Sequence, residues 1–248
     1  MDKCDRHSFF KGLRVKIIST SGNTVEGIVS KVITVISYDP NGIFVELETG
    51  ESGTTIEILQ NEQEIIINKM KSDFDGHRIL GESNEVEFKE SYMYPINDPL
   101  KSVEQVTKED KLLIKYIIAK TIAAFANANG GTLYIGVQDR TNKIMGLEKD
   151  FSLLDAGKQD SDGLEIRMTS DLPTFFTKRD LVFQNTKLHF IKVENKDICV
   201  VKVTRSDVPF ITLKDAKEEM YVRQNNSSKK YEKVSEFIDY WVNHIHKS

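Results

Sequence analysis

Glu87 and Lys89 stand two residues apart in the alternating stretch Val86-Glu87-Phe88-Lys89, so a strand there turns both charged groups to one face and Val86 and Phe88 to the core. An acid and a lysine side by side suit a functional site, but on the residues alone a solvated strand face on which Glu85, Glu87 and Lys89 make cross-strand pairs is the commoner arrangement. Arg223, Lys229 and Lys230 flank the polar turn Asn225-Asn226-Ser227-Ser228, and Arg140 and Lys143 lie beside Asp139; these are the local cations best placed to meet phosphate. His189, His244 and His246 titrate in the range of acid–base groups, but nothing in the spacing links them to the acids, and they read as packing, surface or tail residues. Gly130-Gly131 fits neither GxxxxGK[ST] nor GxGxxG, so neither ATP hydrolysis nor a nucleotide cofactor is expected. With Asn127, these glycines read as a helix cap and a tight turn. Cys4 and Cys199 are too few for a disulfide framework or a four-ligand zinc site.

The elements that must position these groups fall into two segments. From residue 13 to 67, short and largely β-branched runs (13–19, 25–37, 43–47, 55–59) alternate with turn signals such as Ser21-Gly22-Asn23 and Asp39-Pro40-Asn41-Gly42, the pattern of a small barrel or roll. The polar stretch 68–81 breaks that rhythm and reads as a linker. Thr107 can cap a long helix over 107–129, with Glu109 and Asp110 in its first turn and an apolar series through Leu112, Leu113, Tyr116, Ile117, Ala119, Ala123 and Phe125. Strands are expected at 132–137, 144–147, 188–194, 198–204 and 219–223, and a closing helix at 234–246 whose Phe237, Tyr240, Trp241 and Ile245 form a buried stripe rather than a base-stacking platform. The fold class is therefore α+β, a small all-β domain at 1–70 followed by a mixed domain at 76–248.

Charge limits the function further. The chain has 34 Lys+Arg against 38 Asp+Glu, a net charge of −4 and a pI of about 5.8, unlike a protein that coats nucleic acid by bulk attraction. Residues 1–75 carry 8 basic and 12 acidic residues, leaving 26 of each in 76–248, so any nucleic-acid site is local. No stretch approaches the roughly 18 apolar residues of a membrane span, and Met1-Asp2-Lys3-Cys4-Asp5-Arg6 lacks a signal-peptide core, so a cytoplasmic protein is expected.

Two family resemblances add to this reading. Lys11-Gly12-Leu13, Glu26-Gly27-Ile28-Val29 and Pro40-Asn41-Gly42-Ile43-Phe44-Val45 resemble the small YwbE-type bacterial domain. Glu82-Ser83-Asn84-Glu85-Val86-Glu87-Phe88-Lys89, the run Ala124-Phe125-Ala126-Asn127-Ala128-Asn129-Gly130-Gly131 and the following Thr132-Leu133-Tyr134-Ile135-Gly136-Val137-Gln138-Asp139 resemble the Schlafen/AlbA-like domain. Tyr221-Val222-Arg223 matches its later Tyr-x-Arg strand. That family is described both as a nucleic-acid-binding module of bacterial proteins and, in some vertebrate members, as a metal-dependent endoribonuclease cutting tRNA or rRNA.

The resemblance implies a three-carboxylate site at Glu82, Glu87 and Asp139 holding Mg²⁺ or Mn²⁺, with Lys89 stabilising charge on the scissile phosphate; three carboxylates together favour such a hard cation. Glu82 has the wrong parity for one continuous strand, so Ser83-Asn84 must redirect the chain if the trio is to converge. The leading expectation is an endoribonuclease of structured, tRNA-like RNA. A non-catalytic DNA- or RNA-binding regulator and a protein-interaction adaptor are the alternatives. Vertebrate cores pair two related halves into a groove; this chain has one, and a homodimer would rebuild it.

Overall fold

The apolar runs of the first segment close on themselves. The structure, a computed structural model, describes residues 2–60, 62–95 and 101–245, and the chain divides into two compact units, Met1–Arg78 and Ile79–Ser248. In the first unit β1 (Arg14–Ser19), β2 (Thr24–Val32), β3 (Phe44–Leu47) and β4 (Ser52–Ile58) form a closed antiparallel barrel. Strand β1 pairs with both β2 and β4, Ile17 facing Val25 on one side and Thr55 on the other, so no edge is left open. Val15 and Ile17 point inward to Leu13, Val29, Ile43, Val45 and Leu47, while Arg14 and Lys16 face out. Gly53 is required where β4 crosses β1, since a Cβ there would lie 2.2 Å from the Ile18 carbonyl oxygen.

The stretch expected to be a linker is helical instead: α1 spans Glu62–Leu80. It lacks proline and is rich in helix-forming residues, and its buried Ile65, Met70 and Phe74 recur at five and four residues, too irregular a stripe to stand out among the charges. Strand β2 also stops at Val32, short of the run extending to residue 37.

The second unit contains, in order, β5 (Val86–Lys89), α2 (Lys108–Ala126), β6 (Gly131–Ile135), α3 (Glu148–Phe151), α4 (Ser161–Asp171), α5 (Arg179–Asn185), β7 (Thr186–Val193), β8 (Lys196–Val203), β9 (Ile211–Lys214), β10 (Lys217–Gln224), β11 (Ser227–Tyr231) and α6 (Val234–Ile245). One sheet has the order β5-β6-β8-β7, with β5 and β6 parallel and the remaining pairs antiparallel; a second, antiparallel sheet has the order β11-β10-β9. Helix α2 is the crossover that a parallel β5–β6 pair demands. Thr107 accepts from the Asp110 N–H and Asp110 accepts from that of Thr107, a reciprocal cap that starts the helix. The 144–147 segment is not a strand; a single bridge joins Val137 and Ile144.

Ile118, Ala119, Ile122 and Phe125 of α2 pack against Leu133, Ile135, Cys199 and Val201. Phe237 and Trp241 are buried against Met220, Val222 and Ala128, the stripe expected of the last helix. His246 and the side chain of Ile245 lie outside the described residues. Among the described residues no helix is long and apolar enough to cross a membrane.

Asn127 does more than cap α2. It is fully buried, its amide donates to the carbonyls of Phe210 at 2.8 Å and Tyr221 at 2.9 Å, and its oxygen accepts from the Phe210 N–H at 2.8 Å. Its own carbonyl takes the Tyr240 hydroxyl at 3.0 Å. Asn127→Ala strands these backbone groups without water, so a loss of about 2–4 kcal/mol in urea unfolding is expected; an unchanged midpoint would refute the clamp.

Candidate functional site

Strand β5 lies at the edge of its sheet, yet Val86, Glu87 and Phe88 are all buried. The face that alternation assigns to solvent is covered by Arg223 of β10. Arg223 is 6% exposed; its guanidinium donates to the Ser83 carbonyl at 2.7 and 3.2 Å and to the Val86 carbonyl at 3.0 Å. Its Nη1 lies 2.6 Å from Glu87 Oε2, and its Cζ sits 4.9 Å from the centroid of the Phe125 ring. The Nη1–Oε2 contact is ionic without hydrogen-bond alignment, and neither atom has a hydrogen-bond partner among the described residues. Arg223, expected to meet phosphate from its place in the Tyr-x-Arg motif, is buried here with its guanidinium against Glu87 and the turn before it. The Glu87 face is likewise no solvated strand face.

The chain bends at Ser83-Asn84, as parity required: the Ser83 N–H donates to the Val86 carbonyl at 3.0 Å and the Glu85 N–H to Ser83 Oγ at 3.2 Å. Glu82 is thereby brought back along β5, where its carboxylate accepts from the Phe88 N–H at 2.9 Å. Burial holds its carboxyl above the ordinary range. The Phe88 N–H and Lys89 oppose that shift, while the negative charges of Glu87 and Asp139 add to it. Glu82, Glu87, Asp139 and Lys89 therefore share one electrostatic neighbourhood. Asp139 is exposed on the turn after β6, anchored where the Gly136 and Val137 N–H groups donate to the Lys89 carbonyl at 2.8 and 3.1 Å.

Lys89 pairs directly with Glu87 and donates to the Phe88 carbonyl at 2.9 Å. Within electrostatic reach of both Lys89 and Glu87 is Lys120, a residue the sequence reading passed over. Lys120 is partly buried and lies 5.7 Å from the centroid of the Tyr221 ring. Burial pulls its ammonium below the ordinary lysine range, Lys89 adds to this, and Glu87 and Glu219 oppose it. The sequence signal was a lone lysine within Ile117-Ile118-Ala119-Lys120-Thr121-Ile122, concealed by the strength of the helix pattern around it.

This balance of charge bears on the implied metal. Among the described residues no group of three or more His, Cys, Asp or Glu is placed to hold an ion. The Glu87 oxygens already face Arg223 and Lys89, and a dication there would meet those two cations at close range. Arranged in this way, Glu82, Glu87 and Asp139 do not fit Mg²⁺ or Mn²⁺.

The other expected cations lie around this centre. Lys230 pairs with Glu219 at 2.9 Å and Glu232 at 3.7 Å, Lys229 is exposed beside the Tyr231 ring, and Arg140 and Lys143 are exposed on the Asp139 turn. Hydrogen bonds from Tyr116, Tyr221 and Lys230 outweigh the burial of Glu219 and hold its carboxyl at about 2. His244 Nε2 is 3.0 Å from the Ala128 carbonyl and the ring stacks on Tyr240; His189 lies on β7, and burial lowers its pKa. Neither histidine joins the acids.

The segment following Lys89 is pinned by a group the sequence reading did not single out. Asp150 of α3 is 1% exposed, and its Oδ1 accepts from Ser91 Oγ at 2.9 Å, the Tyr92 N–H at 3.1 Å and the Met93 N–H at 2.6 Å. The start of the 93–99 loop is thus held; residues 96–99 lie outside the described residues. Burial pushes the Asp150 carboxyl up to about 6 from 3.8.

Two outcomes follow for stability. Arg223→Met leaves Glu87 buried with one cation, and a loss of about 3–5 kcal/mol is expected in denaturant unfolding, whereas exposed Lys229→Ala stays within about 0.5 kcal/mol. Because the Asp150 pKa is higher folded than unfolded, its proton stabilises the fold; that contribution is complete below about pH 4 and is lost as pH rises through 6. Relative to Asp150→Asn, the native protein should therefore gain about 3 kcal/mol between pH 7 and pH 4, and parallel stability curves would exclude the assignment.

Residues 82–232 match the Schlafen, AlbA_2 family, and residues 3–58 match a family of uncharacterized conserved proteins, DUF2196. Among solved structures, the DIP2311 protein of Corynebacterium diphtheriae is 18% identical with a TM-score of 0.42, over 65% of this chain and 27% of that one. The N-terminal domain of a RecG-related protein of Nitrosomonas europaea is 19% identical with a TM-score of 0.37, over 65% of this chain and 90% of that one. The chain thus spans about a quarter of the first structure's length. The Schlafen match takes in the Glu82 turn, the Glu87–Lys89 strand, the Asn127 clamp and Arg223, and with more than half of its residues matched the chain belongs to the Schlafen, AlbA_2 family.

Proposed function

We propose that the second unit is a nucleic-acid-binding module in which Lys89 and Lys120 meet backbone phosphate, with Glu87, itself fixed by Arg223, holding Lys89 in place. Family membership points to nucleic acid as the partner. The observation that carries the choice of residues is Lys120: a partly buried ammonium over the Tyr221 ring, with no ion pair among the described residues and within electrostatic reach of a second lysine. A phosphate oxygen supplies the charge this ammonium lacks, in a setting where water screens it less than on an open surface. Arg140, Lys143, Lys229 and Lys230 would extend contact along the strand. Structured RNA is placed ahead of DNA on the resemblance to vertebrate members, and the two buried, unbridged cysteines support a reducing, cytoplasmic setting.

The test is binding of total tRNA and of a single-stranded DNA across a salt series. Lys89→Gln and Lys120→Gln should each weaken binding several-fold at 50 mM salt and flatten the logarithmic salt dependence by about 0.7 for a single-stranded ligand. No binding by the native protein at low salt would overturn the proposal in favour of a protein-interaction adaptor.

A second reading, cleavage of RNA, is favoured by one observation: Glu82 has a raised carboxyl with two further acids and a lysine in its neighbourhood, a setting suited to proton transfer. Digestion of tRNA with Mn²⁺, Mg²⁺ or EDTA, with Glu87→Ala and Asp139→Ala in parallel, separates the two. The binding-only reading expects intact RNA throughout; cleavage lost in both variants would replace it.

A further inference from the structure

The first two turns of α2 and the end of α4 enclose a second concave surface, a cavity of about 340 Å³ lined by Lys108, Lys111, Lys115, Arg167 and Asp171, with Leu112 and Phe175 among its apolar walls. Four of its five charged groups are cations, in a segment whose basic and acidic residues are equal in number. Lys115 pairs with Asp171, and Arg167 reaches Asp155 at 3.5 Å. Lys108 and Lys111 have no ion pair among the described residues. Of the two acids between them on the helix, Asp110 is taken by Lys101 and by the Thr107 cap, and Glu109 is exposed and does not line the cavity.

That arrangement carries an energetic cost. Lys108, Lys111 and Lys115 are three and four residues apart on one stripe, where like charges repel. Lys108 and Lys111 also lie in the first turn, where the helix dipole disfavours cations. Burial of apolar surface does not explain them, since Lys108 is exposed and Lys111 only partly covered. A bound anion removes both penalties, and the remaining ammonium groups and the Arg167 guanidinium give it several donors. We propose that this cavity is a second phosphate subsite, receiving a backbone phosphate of the same nucleic acid that contacts Lys89 and Lys120. The inference rests on the binding function proposed above. It adds a separate contact, since twelve residues of helix set Lys108 and Lys120 ~18 Å apart along the axis.

The experiment measures binding of a labelled single-stranded RNA to the full chain over 50–200 mM salt, the range in which lost phosphate contacts change affinity most visibly. Lys108→Gln/Lys111→Gln is compared with Lys178→Gln/Lys217→Gln, which removes equal charge from two exposed lysines elsewhere. The cavity variant should keep its melting temperature, bind several-fold more weakly at 50 mM salt, and show a logarithmic salt slope shallower by about 0.7, one single-strand phosphate contact. The matched variant should change neither strongly. Native binding with an unaltered cavity variant overturns the subsite while leaving the Lys89–Lys120 reading intact, and equal effects from both pairs overturn it as general charge. Failure of the native protein to bind overturns both.

Discussion

The Arg223–Glu87 contact fixes the chemistry of the second unit. A guanidinium buried to this degree must find carboxylate or carbonyl partners, and Arg223 finds both on one short strand and the turn before it. One side chain thereby joins the three-stranded sheet to the edge of the four-stranded sheet while stacking over Phe125 of the crossover helix. Such a pair adds little net stability compared with a well-packed apolar substitute, but any geometry that separates it leaves a charge buried alone. It works as a constraint on position, and what it positions is the motif strand: Glu87 is held inward, and Lys89 is drawn to its other oxygen.

The same device recurs wherever chain segments distant in sequence meet. Asn127 binds the backbone around Phe210 and Tyr221, Asp150 gathers three donors from Ser91, Tyr92 and Met93, and Glu219 takes the hydroxyls of Tyr116 and Tyr221. Each polar group lies among apolar neighbours and satisfies donors or acceptors that would otherwise be lost to water. The glycines beside Asn127 belong to this economy of space: a Cβ on Gly130 would stand 2.6 Å from the Val203 carbonyl, and one on Gly131 2.5 Å from the Phe125 ring. The Ala-Phe-Ala-Asn and Gly-Gly motif is thus accounted for by packing and polar satisfaction around the site.

Much of this was legible in the sequence where the pattern was local. The barrel strands, the motif strand, the capped helix from Thr107 and the buried aromatic stripe of α6 follow from periodicity and turn residues. What stayed hidden was non-local. Alternation correctly paired Glu87 with Lys89 but assumed a wet face, and only the fold shows that β10 covers it. Arg223 carries the same charge whether it is buried or free, so its type alone could not separate a positioning group from a phosphate ligand. Helix α1 was missed because its few buried side chains recur irregularly among charges, and Lys120 because its neighbours spell a core helix.

Charge accounting bears on the two chemistries the motif allows. Three carboxylates alone demand a cation, and a hard metal ion is the usual solution. Here Arg223 and Lys89 answer Glu87 directly, so its charge is already met by protein cations, while Glu82 and Asp139 lie in the same electrostatic neighbourhood. A metal would have to displace protein cations that are already seated. A phosphate would not, because it brings the charge that Lys120 lacks. The second segment is neutral in sum, yet α2 carries Lys108, Lys111, Lys115 and Lys120 while Asp110, Asp150 and Glu219 are occupied in a cap and in clamps. That segregation lets a protein of net charge −4 present a local surface to a polyanion.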